Sequence, residues 1–122
     1  MINSFITFAI FKKMKNKEKQ RGLLDLQDVI YIIGGRWRGA ILASLCDKPK
    51  RFNELKRDVG KITPRSLIKE LKFLEMNKLL IKTETENSNF AMYELTEHGH
   101  SLQPLIFKII EWAQKHRKII LE

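Results

Sequence analysis

Apolar residues recur along the chain in two rhythms. From Leu24 the positions Leu26, Val29, Ile30, Ile32 and Ile33 predict a short helix, closed by Gly34-Gly35, where glycine accepts the left-handed cap conformation. Trp37, Ile41, Leu42 and Leu45 predict a second helix to Cys46, broken by Asp47-Lys48-Pro49. Phe52, Leu55 and Val59 share one face of a third helix that Gly60 ends. Thr63 before Pro64 is a strong start signal, a side-chain cap followed by a residue preset for the first turn. The helix it opens runs to about Met76, with Leu67, Ile68, Leu71 and Leu74 as the inward stripe. The rhythm then shortens. Residues 80–86 and 90–95 are rich in Ile, Thr, Tyr and Phe and predict two strands joined at Asn87-Ser88-Asn89. Thr96 caps a last helix to about Lys118, striped by Leu102, Leu105, Ile106, Ile109, Ile110 and Ala113.

Helix, helix, short helix, capped helix, hairpin, long helix is the order of a winged helix-turn-helix: α+β, mostly helical, with a two-stranded wing. At 122 residues, with 43% hydrophobic and 30% charged residues, the chain has material for one globular core. Residues 1–22 read as a basic tail before a domain over 23–122. The tail's apolar run precedes its lysines, the reverse of a secretory signal, and eleven residues are too few to span a bilayer, so no membrane partner is expected. Met14 is an alternative start. The single cysteine, Cys46, precludes an intrachain disulfide and fits a reducing cytoplasm, where a lone thiol serves most often as a small buried hydrophobe.

Charge changes the picture more. The net charge is +9, unevenly placed: +5 over residues 1–22, −2 over 23–35, +7 over 36–72 and −1 over 73–122. A polyanion is the natural partner of the block 36–72. On a helical wheel at about 100° per residue, the segment from Thr63 sets Arg65, Ser66, Lys69, Lys72 and Phe73 opposite its leucines. Arg pairs bidentately with guanine, Ser and Lys bond base edges or phosphates, and a helix fits the major groove of double-stranded DNA. Lys50, Arg51 and Lys61 flank this helix as candidate contacts to the DNA backbone. In the wing, Lys82 and the tip Asn87, Ser88 and Asn89 are candidates, set against Glu84 and Glu86, which repel phosphate.

Catalytic and metal chemistry find no support. There is no glycine-rich phosphate loop, no G-x-S-x-G and no paired carboxylates. His98 and His100, two apart, do not share a helix face, and His116 is distant, so neither a metal nor another cofactor is expected. A non-specific nucleic-acid binder and a winged-helix protein-interaction module remain as alternatives to a regulator.

Four motifs in order, Ile33-Gly34-Gly35-Arg36-Trp37, Arg51-Phe52-Asn53-Glu54-Leu55, Ile62-Thr63-Pro64-Arg65-Ser66-Leu67 and Tyr93-Glu94-Leu95-Thr96-Glu97-His98-Gly99, resemble the HxlR family of bacterial and archaeal winged-helix transcription regulators, distant relatives of MarR-type regulators. The similarity covers about residues 24–115. It implies a recognition helix opened by Thr63, a hairpin wing, and a homodimer whose outer helices, near 24–33 and 97–118, meet across a two-fold axis through residues such as Leu26, Val29, Ile30, Leu105, Ile109 and Trp112. It is compatible with an inducer, small-molecule or redox. Two departures stand out: residues 21–27 lack the N-terminal sensing cysteine of several members, and the wing lacks the family's proline and arginine and is a residue shorter.

Overall fold

The capped segments form where their local chemistry directs. The computed structural model describes residues 9, 10, 12–84 and 90–122. These fall into two compact units, one ending at Ile33 and the other starting at Gly34. The first contains helix α1 (Asn16–Ile33), which has no buried residue. It begins about eight residues before the expected start, because its opening turns, Asn16 to Arg21, are polar. Good helix formers without an apolar rhythm carry no periodic signal. The helix runs through residue 23, where the tail was expected to end.

The second unit holds α2 (Arg38–Ser44), β1 (Lys50–Arg51), α3 (Phe52–Val59), α4 (Pro64–Met76), β2 (Leu80–Glu84), β3 (Ala91–Leu95), α5 (Glu97–His100) and α6 (Gln103–Ile120). Gly35, at φ +80°, makes the turn into α2, and Gly60, at φ +100°, closes α3. Both angles lie where a Cβ is strained. The strands form one antiparallel sheet in the order β1-β3-β2, with Lys82 opposite Tyr93 and Lys50 beside Tyr93 on its other edge. Strand β1 goes beyond the two-stranded wing. Two residues are too short to show alternation, and pairing with β3 defines them. The expected tip, Asn87, Ser88 and Asn89, lies outside the described residues.

The expected last helix is two helices. Thr96 caps the first, its Oγ1 accepting from the Gly99 N–H at 2.9 Å. Ser101 and Leu102 then interrupt the axis, and Pro104 sits in the first turn of α6. Proline has no N–H to donate and its ring clashes with the preceding turn, so it starts helices rather than continuing them. Leu102 is therefore a cap rather than part of the α6 stripe.

The core joins Ile41, Leu42 and Leu45 of and after α2 to Leu55, Ile62, Leu67, Leu71 and Leu74 of the α3–turn–α4 segment, and to Leu79, Leu80, Leu95 and Ile106. Each buried side chain of this size stabilises by about 1.5–3 kcal/mol. Ile68, expected in the inward stripe, is exposed: it sits at the edge of the arc whose centre Leu67, Leu71 and Leu74 occupy.

Candidate nucleic-acid interface

Helix α4 is set by its first turn. Thr63 is extended, at φ −76° and ψ 153°, and its Oγ1 accepts from the Ser66 N–H at 3.1 Å. The turn Gly60–Thr63 is anchored by buried Ile62. With three leucines held inward, Arg65, Lys69 and Lys72 come together on the exposed side. Thr63 and Lys61 are exposed at its start, and Ser66 is half-buried on one shoulder.

The shoulders differ. On the Ser66 side, Glu70 and Phe73 are half-buried beneath Arg38 of α2, whose Nε donates to Glu70 Oε2 at 2.6 Å and whose guanidinium lies 3.6 Å from the Phe73 ring centroid. Phe73 thus leaves the outward face on which the wheel placed it. On the other side, a groove opens between α3, α4 and the sheet, walled by Phe52, Arg57, Ile68, Lys72, Lys82 and Tyr93.

The flanking cations divide. Lys61 projects to solvent. Arg51 is exposed, its N–H donating to Glu54 Oε1 at 3.1 Å and its guanidinium 4.5 Å from the centroid of Phe90. Lys82 is exposed and lies 3.4 Å from Glu84. Lys50 corrects the expectation of a phosphate contact. It is buried, and its Nζ donates to Asp58 Oδ2 at 2.6 Å and to the Ser44 carbonyl at 2.6 Å, with Asp47 Oδ1 at 3.1 Å. Ser44 Oγ also donates to Asp58 Oδ2, at 2.7 Å. Burial disfavours the ammonium, but the bonds to Asp58 and Asp47 together outweigh it and hold its pKa above the ordinary lysine value. The bond from Lys50 holds the Asp58 carboxyl below the usual range, helped by Ser44. The signal for this cluster was present in Asp47 and Asp58 on either side of Lys50, but spacing alone does not show which cation turns inward.

A charge pattern emerges that counting did not give. All four acids between residues 36 and 72 are engaged locally: Asp47 and Asp58 on Lys50, Glu70 on Arg38, and Glu54 on the Arg51 backbone. Among the described residues no ion pair joins Lys61, Arg65, Lys69 or Lys72 to an acid, so these four present a cationic field to solvent.

Elsewhere, Leu26 and Ile30 of α1 are exposed and Val29 is half-buried. On α6, Leu105, Ile109 and Trp112 form an exposed apolar line, with the Trp112 ring stacked on His116 at 4.8 Å. Cys46 is half-buried and its thiol donates to the Leu42 carbonyl at 3.3 Å. Among the described residues no helix is long and apolar enough to cross a membrane, and no group of three His, Cys, Asp or Glu is placed to hold a metal ion.

Comparison with known proteins gives a consistent result. A family model described as HxlR-like helix-turn-helix matches residues 32–120. The uncharacterised HTH-type transcriptional regulator YdeP of Bacillus subtilis (strain 168) is 34% identical over 93 residues, 75% of this chain and 73% of that one. YkvN of the same organism is 38% identical over 83 residues, 67% of this chain and 70% of its own. Among solved structures, the redox regulator HypR in its reduced form superposes with a TM-score of 0.74 at 30% identity, covering 79% of this chain and 96% of that one. Quinone-bound YodB from B. subtilis gives 0.65 at 31% identity, covering 75% and 97%.

Proposed function

This chain belongs to the HxlR-like helix-turn-helix family and is a transcriptional regulator of helix-turn-helix type, and on that premise we propose that two copies pair and read a pseudo-palindromic DNA operator, each through its own α4. Arg65, Lys69 and Ser66 enter the major groove, with Thr63 and Lys72 at the edges. Lys61 and Arg51 meet phosphates and set the register. Lys50 is left out, since its charge is already satisfied inside the chain. The hairpin, through Lys82 and the residues around 87–89, lies against the neighbouring backbone. Pairing comes from apolar residues exposed in one copy, Leu105, Ile109 and Trp112 on α6 and Leu26 and Ile30 on α1, together with half-buried Val29. A two-fold pair brings two reading helices to half-sites about one DNA turn apart.

One observation carries the reading. The outward side of α4 is cationic from Arg65 to Lys72, and the one acid within that stretch, Glu70, is drawn to Arg38 on the shoulder. A solvated helix face in an ordinary domain mixes both signs. The experiment is footprinting on the DNA that flanks the coding sequence. A discrete protected site with two-fold symmetry, lost when the site is shuffled, is expected. Equal protection of shuffled DNA, with a steep salt dependence, would make the protein a charge-driven binder instead. The structures of HypR and YodB in more than one redox or ligand state suggest that an inducer acts on this protein too. Cys46 is the sole thiol available for a redox signal.

A further inference from the structure

We infer that Arg38 is a positioning residue that fixes the roll of α4, and through it the base discrimination of the protein, without touching DNA itself; this rests on the reading of α4 as the DNA-reading helix. The leucine stripe decides which half of α4 faces inward, but aliphatic packing tolerates small rotations at modest cost. The rotation that matters at a base edge is small, because a bidentate Arg contact has fixed geometry. Something directional must therefore hold the helix about its axis.

Arg38 is the residue placed to do so. It stands at the first position of α2, and α2 is locked into the core by Ile41 and Leu42, both fully buried. From that base its guanidinium engages two positions of α4 one turn apart. Its Nε bonds Glu70 at 2.6 Å and its plane covers Phe73 at 3.6 Å. The two side chains of the ion pair are only 18% and 16% exposed, so solvent screens the pair poorly. Glu70 and Phe73 lie on one shoulder of α4, Glu70 about 100° around the axis from Lys69 and Phe73 about 40° from it. A pull on that shoulder acts as a stop against rotation. Guanidinium suits this task because its edge donates while its face stacks, and an ammonium cannot do both in one orientation.

The test uses the full-length protein, a duplex selected from a random-sequence pool by the wild type, and the same duplex shuffled. Arg38→Ala and Arg38→Lys are each expected to lower the ratio of the two affinities about ten-fold, with affinity for shuffled DNA and the salt slope unchanged. Glu70→Gln is expected to lower it in the same direction, and adding it to Arg38→Ala to bring no further loss. Should Arg38→Ala not fold, Arg38→Lys and Glu70→Gln carry the same measurement. An unchanged ratio in these variants would overturn the proposal. So would equal loss on both duplexes, which marks a stability effect, or a salt slope reduced by about one, which marks Arg38 as a phosphate contact. A wild type that selects no sequence at all would remove the DNA-reading role of α4, and this proposal with it.

Discussion

Gly99 is the residue at which the sequence motif and the packing meet most closely. A Cβ built there would overlap the Leu79 carbonyl, and that oxygen also accepts from the Thr96 N–H at 3.1 Å. Thr96 meanwhile donates its hydroxyl to the Lys78 carbonyl at 2.6 Å. The end of the sheet, the turn after α4 and the start of α5 are thus pressed together with no room for a methyl group. Gly99→Ala should destabilise the domain by about 1–3 kcal/mol through the backbone shift it forces, measured by chemical denaturation. The Lys50 cluster makes a second prediction at this scale. Lys50→Met removes three charge-assisted hydrogen bonds and should cost about 1–3 kcal/mol near neutral pH. The Asp58 pKa is lowered in the folded state, so its contribution is complete above the ordinary carboxylate value and disappears as pH falls through the lowered one. The Lys50 pKa is raised, so its share persists up to the ordinary lysine value and is lost only above it. The gap between wild type and Lys50→Met should therefore be flat from about pH 5 to 10 and close below about pH 4. A gap that instead widens in acid would contradict the assigned pairing.

At the scale of elements, α3 and α4 were legible to the residue, because each begins and ends on a chemical signal that acts locally: Glu54 on the Arg51 N–H, Thr63 on the Ser66 N–H, Gly60 at positive φ. What was not legible depended on distant partners. Strand β1 exists because Lys50 and Arg51 pair with Tyr93 and Met92, and no two-residue pattern announces that. The break before α6 was legible in Pro104, but the continuous apolar stripe spoke louder than a single missing N–H. The same division runs through the candidate site. The cationic face followed from spacing alone, whereas the inward turn of Lys50 and the cover of Arg38 over Phe73 follow from contacts 3 to 35 residues away in sequence. Within α4, the proposed roles separate by experiment. Arg65→Ala should cost about 1–3 kcal/mol on the selected duplex and relax its preference at one position of each half-site. Lys61→Ala should weaken selected and shuffled duplexes alike and reduce the salt slope by about one. Filter binding across a salt series reads both, and an identical pattern for the two variants would leave no base-reading role for Arg65.

At the scale of the whole molecule, the proposed reading by α4 raises the question of how one helix per chain attains specificity. One helix covers only a few base pairs, and linking two through pairing raises apparent affinity by about 10²–10⁴ without any new contact. The exposed side of α6 is the element suited to that task. Leu105, Ile109 and Trp112 recur at helical spacing on a helix whose adjacent flank already contributes Ile106 to the core, and Trp112 is 65% exposed in the single copy. An apolar line of this length facing water is costly, and a second copy seated on it would relieve the cost. Ile109→Glu places a carboxylate in the middle of the line. If the two copies meet there, each pairing event buries two like charges, and the dimer dissociation constant should rise by at least about 100-fold. Sedimentation velocity should then show a monomer at concentrations where the wild type is a dimer, the monomer remaining folded because Ile109 is outside the core. DNA affinity should fall in parallel and become dependent on protein concentration. A variant that stays dimeric would move the two-fold axis away from α6. A monomeric variant that binds as tightly as the wild type would show that pairing and reading are separate properties of the chain.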